Sequence, residues 1–338
     1  MAPDVFVHLI EPAAWRAALA DGAVRPPSLT EAGFVHLSTP DQVHLPAARL
    51  YPGRRDLVVL VVDPARLTDP VRFEDGGDPG GMQFPNLYGP LPVTAVIAVV
   101  PYRPPSPLVL PAPDDRFARA LTLGTSVQIR RAVGVGDVPG GVAVLDPDFP
   151  ASRDNNRVIL FEPVDAKTVE RTVDEVAANA GWPQRTAALT WPGAGAVAAE
   201  LATCDWLPQE FVLMARPALP MPAPDRVEIV AETEVHAFWE RSWRQVLPLT
   251  GRDLDAVVGQ LIGREKLNDT VVEVTDLVVR NAGEVVAAGQ LRRDGATAAV
   301  DSVLTEPGHR GRGHADAVLA RAVDLAAAAG CDLVVLEA

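Results

Sequence analysis

Lysine, cysteine and tyrosine are scarce in this chain of 338 residues. The only lysines are Lys167 and Lys266, so arginine carries nearly all the positive charge. With the abundance of alanine, valine, proline and glycine, this reads as GC-rich coding bias rather than selection for arginine chemistry. Two cysteines, Cys204 and Cys331, form no C-x-x-C pair, which argues against a disulfide framework or a structural zinc site and makes a reducing cytoplasm the expected compartment. No run of eighteen apolar residues occurs, so no transmembrane helix is expected. The N-terminus lacks the basic-then-apolar order of a secretory signal. His8, His36 and His44 have no recognised ligand spacing, and no metal site is expected. The net charge of −14 argues against a broad nucleic-acid surface.

Length suggests two or three domains, and proline marks their boundaries. Pro104, Pro105, Pro107, Pro111 and Pro113 crowd one stretch, and Pro217, Pro220, Pro222 and Pro224 another. Neither stretch can continue a helix or a central strand. Read as linkers (104–115 and 217–224), they leave three segments, 1–103, 116–216 and 225–338. In the first, Val5–Leu9, Asp56–Val62 and Val93–Val100 are expected strands, and Pro12–Leu19 an expected helix. In the second, expected strands cover Ser126–Val133, Gly141–Leu145, Arg157–Phe161, Thr186–Trp191 and Glu210–Ala215. Helices are expected at Ala166–Ala180, ended by Gly181, and around Ala194–Thr203.

The third segment has the clearest order. A strand at Val227–Ala231 precedes helices near Glu234–Val246 and Arg252–Gly263. Strands at Thr270–Val279 and Val285–Leu291 flank the hairpin signal Asn281-Ala282-Gly283. Ala298–Thr305 is another strand, followed by Pro307-Gly308-His309-Arg310-Gly311-Arg312-Gly313-His314-Ala315. The helix after it runs to about Ala329 with an apolar face at Ala315, Val318, Leu319, Ala322, Val323 and Ala326. Cys331–Leu336 is the last expected strand. A glycine-rich turn between strand and helix exposes backbone N–H groups at a helix N-terminus, an anion site suited to pyrophosphate. The turn lacks the Lys-Ser/Thr of a P-loop and the G-x-G-x-x-G spacing of a dinucleotide fold.

The order β-α-α-β-β-β-turn-α-β, with Arg310-Gly311-Arg312-Gly313-His314-Ala315 matching R-x-x-G-x-A, resembles the GNAT acetyltransferase superfamily. The resemblance implies that backbone N–H groups of the turn hold the pyrophosphate of acetyl-CoA while the strand at Val303 and Thr305 pairs with the pantetheine arm. Cofactor contacts are thus expected at Val303, Thr305, Arg310, Gly311, Arg312, Gly313, His314 and Ala315. It further implies direct transfer of acetyl to an amine, small molecule or peptide, with Asp301 and then Glu306 as candidate bases and His309 behind them. A solvent-facing or salt-bridged carboxylate is an equal reading of Asp301. The helix and two strands that follow the last strand in that fold are not in the sequence, and no tyrosine occurs after Tyr102. A truncated GNAT domain is therefore expected over 225–338, with no assigned general acid. A final strand ending there would expose its edge, a feature that a partner chain could cover. Oligomeric state is not readable from the sequence.

The middle segment, from Pro147-Asp148-Phe149-Pro150 to Asn155-Asn156-Arg157-Val158, resembles the degenerate first half of tandem acetyltransferases. It has no R-x-x-G-x-A, so the resemblance implies a structural or substrate-lining role. In residues 4–100, His8, Trp15, Gly33-Phe34-Val35-His36-Leu37-Ser38-Thr39, Gln42 and Phe84-Pro85-Asn86-Leu87-Tyr88-Gly89-Pro90-Leu91 resemble a small bacterial domain of unknown function. That domain is distantly similar to ADP-ribosyltransferases, which implies a split, mostly antiparallel α+β sheet with a cleft at His36, Ser38, Thr39 and Tyr88. His36 and Ser38 alternate, so in an extended segment they share a face. A structural histidine and a core tyrosine are the competing reading. Asn86 stands where that family often has histidine.

The expected fold class is thus mixed α+β and α/β: a GNAT-like fold, a degenerate GNAT-like half and an ADP-ribosyltransferase-like N-terminal domain. The expected function is acetyl-CoA-dependent N-acetyl transfer. The alternatives are an NAD- or ribosyl-phosphate-acting transferase in the N-terminal domain, or a non-catalytic nucleotide- or CoA-binding protein.

Overall fold

The computed structural model describes residues 4–76, 81–222 and 224–338. From the N-terminus its elements are β1 (Phe6–Ile10), α1 (Pro12–Asp21), β2 (Ala23–Val24), α2 (Pro27–Glu31), β3 (Val35–His36), α3 (His44–Leu50), β4 (Leu57–Val62), β5 (Val71–Asp75), β6 (Gln83–Leu87), β7 (Leu91–Pro92) and β8 (Val96–Tyr102). Then come α4 (Arg116–Arg131), β9 (Gly134–Val138), β10 (Gly141–Leu145), β11 (Arg157–Leu160), α5 (Ala166–Ala180), β12 (Ala187–Leu189), α6 (Ala194–Leu201) and β13 (Leu213–Pro217). The last elements are β14 (Val227–Val230), α7 (Glu232–Val246), α8 (Gly251–Gly263), β15 (Glu273–Asn281), β16 (Glu284–Asp294), β17 (Thr297–Thr305), α9 (His314–Ala328) and β18 (Leu333–Glu337).

These elements form two compact units. One holds the chain up to Ser126, Leu213–Ala231 and Asn268–Glu337; the other holds Val127–Val212, Glu232–Leu267 and Ala338.

Within the first unit, the apolar run Leu57–Val62 forms the centre of an antiparallel sheet, β1-β4-β8. Every residue of β4 is buried, as a strand covered on both faces requires. Val58, Leu60 and Val62 meet Trp15, Ala18 and Leu19 of α1, while Val59 and Val61 face the other way. A second antiparallel sheet, β3-β6-β5, adds Val35, Val71 and Leu87 to the α1 side. Val93–Ala95, expected to start a strand, form a 3₁₀ turn, and pairing begins at Val96.

The same unit contains a six-stranded sheet ordered β13-β18-β17-β16-β15-β14. Ala282 and Gly283 take positive φ (50° and 87°), the left-handed pair that a tight β15–β16 hairpin needs. The apolar face of α9, including Val318, Ala322, Val323 and Ala326, packs on Leu277, Val279, Leu291, Ala298 and Val300. The β16–β17 turn inserts into the N-terminal region. Trp15 Nε1 donates to Asp294 Oδ1 at 2.8 Å, Ala296 N–H to the Val96 carbonyl at 2.7 Å, and Thr297 Oγ1 to the Ile97 carbonyl at 2.7 Å. Gly295 (φ 78°) has no alternative there: a Cβ would lie 2.3 Å from the Val96 oxygen.

The sheet corrects the expectation of an exposed final edge. β18 pairs antiparallel with the chain's own β13, and Ala218, within the second proline cluster, is buried with its N–H on the Asp332 carbonyl.

In the second unit the sheet order is β12-β11-β10-β9, antiparallel except for the β11–β12 pair, which is parallel across α5. The series β9-β10-β11-α5-β12 thus repeats the order and directions of β15-β16-β17-α9-β18. The loop between β10 and β11 is a closed hydrogen-bonded knot. Asn156 Oδ1 accepts from Asp146 N–H, Asn155 Nδ2 donates to Asp146, and Ser152 Oγ donates to Asn155. Gln260 and Arg264 bind its Ala151 N–H and Ser152 Oγ.

Ser126–Val133, expected as a strand, is mostly the end of α4. Burial at Arg119, Ala120, Leu123, Ser126 and Val127 has helical spacing, and Asp115 Oδ1 accepts the Ala118 N–H at the helix start. Across a short window the two periods coincide.

Candidate functional site

β17 and β18 pair in parallel only from Thr297–Ala299 against Leu333–Val335. On its other side, β17 carries a bulge opposite Gly289, where Ser302 takes a φ of 55°. Gly289 is required there: a Cβ would stand 2.6 Å from Val318 Cγ1 of α9. Beyond the bulge, Val303 and Thr305 lead into the 3₁₀ turn Pro307–His309 and the glycine turn.

The turn is braced by its own arginines. Arg310 Nε donates to the Thr305 carbonyl at 3.1 Å and Arg312 Nη2 to the Gly308 carbonyl at 3.2 Å. Gly311 and Gly313 take φ of 73° and 70°, which only glycine adopts without strain. Gly313 is the N-cap of α9, with no side-chain cap, so the first N–H groups of the helix point outward unmet. Arg226, far off in sequence, reaches in and donates to the Gly313 carbonyl at 2.7 Å.

A cavity of about 420 Å³ opens here. Of the expected cofactor contacts, Val303, Thr305, Arg310, Gly311, Gly313, His314 and Ala315 line it, with Leu304, His309 and Asp316 in addition; Arg312 does not. Three buried polar atoms in this lining have no hydrogen-bond partner: Thr305 Oγ1, His309 Nδ1 and His314 Nδ1. The His314 imidazole is held below the usual histidine range, first by burial and then by the charges of Arg226, His309 and Arg312.

The corresponding helix of the repeat begins differently. The N-cap of α5 is Asp165, whose carboxylate accepts the Thr168 N–H at 2.7 Å. That backbone hydrogen bond lowers the carboxyl pKa. One helix start carries its own anion; the other has glycine and a cavity.

Asp301 is engaged: it forms an ion pair with Arg292 and accepts the Ser302 N–H. Arg292 in turn donates to Gln290 Oε1, and Gln290 Nε2 donates to Asp276, giving a polar row across three strands. Glu306 sits at the start of the turn with its N–H on the Val286 carbonyl.

In the N-terminal region, Phe34 brings two of the four expected pocket residues together, its ring centroid 4.9 Å from that of His36 and 5.5 Å from that of Tyr88. Tyr88 Oη and Asn86 Nδ2 both donate to Glu74, at 2.6 and 2.9 Å, and Arg72 lies over the Tyr88 ring. Asn86 Oδ1 is buried without a partner. Ser38 instead exchanges backbone hydrogen bonds with Val7, and Thr39 N–H binds Gln42. The buried His8 donates from Nδ1 to the His36 carbonyl at 2.8 Å. Glu74 and Arg72 lie on β5, a strand with no period strong enough to read in the sequence.

Residues 234–338 match the Acetyltransferase (GNAT) family. The chain carries a C-terminal GNAT acetyltransferase domain. Residues 9–99 match DUF952, a protein family of unknown function. CC0527 from Caulobacter crescentus is 32% identical over 29% of this chain and 84% of its own, with a TM-score of 0.27. A GCN5-related N-acetyltransferase from Kribbella flavida is 16% identical over 67% of this chain and 87% of its own, with a TM-score of 0.43. A predicted acetyltransferase with acetyl-CoA from Clostridium acetobutylicum is 13% identical over 32% and 78%, with a TM-score of 0.25. Among curated proteins there is no match.

The glycine turn, the uncapped α9 and the unmet Thr305, His309 and His314 atoms all belong to the GNAT domain. Their chemistry fits a phosphate-bearing cofactor: outward N–H groups, a positive helix end and three nearby arginines. Among the described residues no group of histidine, cysteine, aspartate and glutamate could hold a metal ion, and no helix is long and apolar enough to cross a membrane.

Proposed function

We propose that this protein transfers acetyl from acetyl-CoA to an amine, a small molecule or a peptide. The observation that carries the reading is the uncapped N-terminus of α9 behind Gly311 and Gly313, opening on a cavity with three unpartnered polar atoms. Acetyl-CoA supplies an activated acetyl group. The chain's part is to hold the pyrophosphate on the N–H groups of the turn, with Val303 and Thr305 along the pantetheine arm. Asp301 is proposed as the base, poised by Arg292, with Glu306 as the second candidate. The segments 1–103, 116–216 and 225–338 are proposed as three domains, joined by 104–115 and 217–224. The repeated β-β-β-α-β order supports reading 116–216 as a degenerate GNAT-like half, and the Asp165 cap supports its lack of a cofactor.

Titration calorimetry of the full chain with acetyl-CoA tests the reading, followed by thiol release against a panel of amines. Saturable binding and amine-dependent release are expected; no binding sinks the proposal. A second reading, a site for NAD or a ribosyl phosphate in the DUF952 domain, draws support from the Phe34–His36–Tyr88 cluster and the unmet Asn86 Oδ1. Heat from NAD in the same calorimeter, lost in His36→Ala, would favour it.

A further inference from the structure

The β3-β6-β5 sheet has one face in the core and one outside it. Val35, Leu87 and Val71, paired across the three strands, belong to the cluster around α1. His36, Asn86 and Arg72 are the next residues in register, directly opposite one another, so they share the outer face. Glu74 and Tyr88, each two residues further along, alternate onto the same face. Phe34 completes it through ring contacts with His36 and Tyr88. His36 and Arg72 are exposed, and Phe34, Glu74 and Tyr88 are half-buried. Aromatic rings stand here where no core uses them.

Beneath the rings lies Asn86, only 6% exposed. Its Nδ2 donates to Glu74 at 2.9 Å, beside the Tyr88 hydroxyl at 2.6 Å. Those two hydrogen bonds hold the Glu74 carboxyl below its usual range, so it is ionised and can only accept. The amide is therefore locked: turned over, it would set oxygen against oxygen. Its Oδ1 must point away from Glu74, and there it is buried with no donor to meet it. Buried acceptors are almost always satisfied, so this one marks the place of an absent N–H or O–H.

Charge narrows the donor. Arg72 lies 4.6 Å over the Tyr88 ring, and Glu74 takes the hydroxyl of that same tyrosine. A cation entering here meets Arg72, and an anion meets Glu74; a neutral group meets neither penalty. Phe34 and Tyr88 offer flat apolar walls, Asn86 Oδ1 an acceptor, and Arg72 donors at the rim. A ring that carries N–H and C=O side by side answers all three.

We infer that the outer face of β3-β6-β5 binds a neutral planar amide, its N–H on Asn86 Oδ1, its C=O at Arg72 and its ring against Phe34 and Tyr88. An aryl carboxamide and a ring lactam of the pyrimidine-base kind both present this group. The site is independent of the acetyl-CoA reading. It rests on the second reading in placing a ligand in this domain, and it adds the chemical group that the ligand presents.

The probes are benzamide and uracil, each against its N-methylated form (N,N-dimethylbenzamide and 1,3-dimethyluracil), with benzoate as the charged control. They are titrated into the full chain and followed by ligand-observed NMR. One parent amide should bind with a dissociation constant of about a millimolar or tighter, and its N-methylated form at least about tenfold more weakly, the worth of one hydrogen bond. The tighter parent tells carboxamide from lactam. Benzoate should not bind. Asn86→Leu should weaken the parent amide by about the same factor, and so should Phe34→Ala, with thermal midpoints as the folding control. The methylation series is read on the unmutated protein, so it decides even where Asn86→Leu fails to fold. Equal binding of parent and methylated forms, or no binding of either parent, overturns the inference. So does unchanged affinity in folded Asn86→Leu. NAD titrated in parallel separates the two readings of this domain: NAD bound where neither amide binds leaves the second reading standing, and no binding of NAD or of either amide overturns both.

Discussion

Arg119 and Asp332 meet through two hydrogen bonds, Nη1 to Oδ2 at 3.0 Å and Nη2 to Oδ1 at 2.5 Å. Arg119 also donates to Thr297 Oγ1 and the Pro113 carbonyl, and Arg66 forms an ion pair with Asp332. Thr297 and Leu333 begin the short parallel pairing of β17 and β18. The cluster therefore fixes the end at which β17 and β18 pair, on the strand that leads into the glycine turn.

The two partners should not be equivalent. The Arg119 side chain is 2% exposed and that of Asp332 41%. Asp332→Ala leaves a buried guanidinium without its carboxylate and should cost about 3 kcal/mol; Arg119→Met leaves a carboxylate that water can reach and should cost about half as much. Denaturant midpoints of the two variants check the order. Burial pushes the Asp332 carboxyl up, but the hydrogen bonds and charge of Arg119, with the charge of Arg66, hold it below the usual range. The pair's stabilisation is complete above about pH 4 and fades as pH falls through the lowered carboxyl value.

Gly313→Glu should weaken acetyl-CoA at least about a hundredfold. It forces a side chain into a φ of 70° and puts a carboxylate on the helix end that the pyrophosphate needs. Binding isotherms with a circular dichroism control read the effect; near-normal affinity would remove the turn from the site.

Asp165→Ala at the repeated helix is the counterpart. Loss of the Thr168 N–H acceptor should lower the denaturant midpoint slightly and leave acetyl-CoA affinity unchanged. A change in affinity would show that the second unit also takes part in binding.

Asp301→Asn should lower kcat about a hundredfold with little change in acetyl-CoA affinity, since the amide keeps an oxygen for the Ser302 N–H but cannot take a proton. Unchanged turnover would leave Glu306 as the base to examine.

His8 makes stability pH-dependent. Burial, set against its hydrogen bond to the His36 carbonyl, lowers its pKa in the folded protein. The unfolded chain then binds the proton first, so stability holds above about pH 6.5 and declines as pH falls below it. Thermal midpoints of the parent and His8→Gln between pH 5 and 7.5 should converge at the acid end.

The proposed cofactor site was legible where it is local. Gly311, Gly313 and Ala315 follow one another, and their spacing specifies a left-handed turn into a helix whatever surrounds it. His309 was a weaker signal that the structure places on the cavity wall. Arg226 gave none: it lies 87 residues from the carbonyl it binds. In the DUF952 domain, His36 and Tyr88 were readable, but Glu74, which joins Tyr88 to Asn86, sits on a strand without a clear period.

By itself the sequence determined the helices with marked ends, such as α5 ended by Gly181, the hairpin at Ala282-Gly283, and the glycine turn into α9. Each depends on backbone preferences and hydrogen bonds within a few residues. Tertiary structure alone decided that β13 covers β18, that α4 continues past Ser126, and that Arg119 meets Asp332. Those outcomes depend on which distant surfaces lose water together, and short-range pattern carries no record of that.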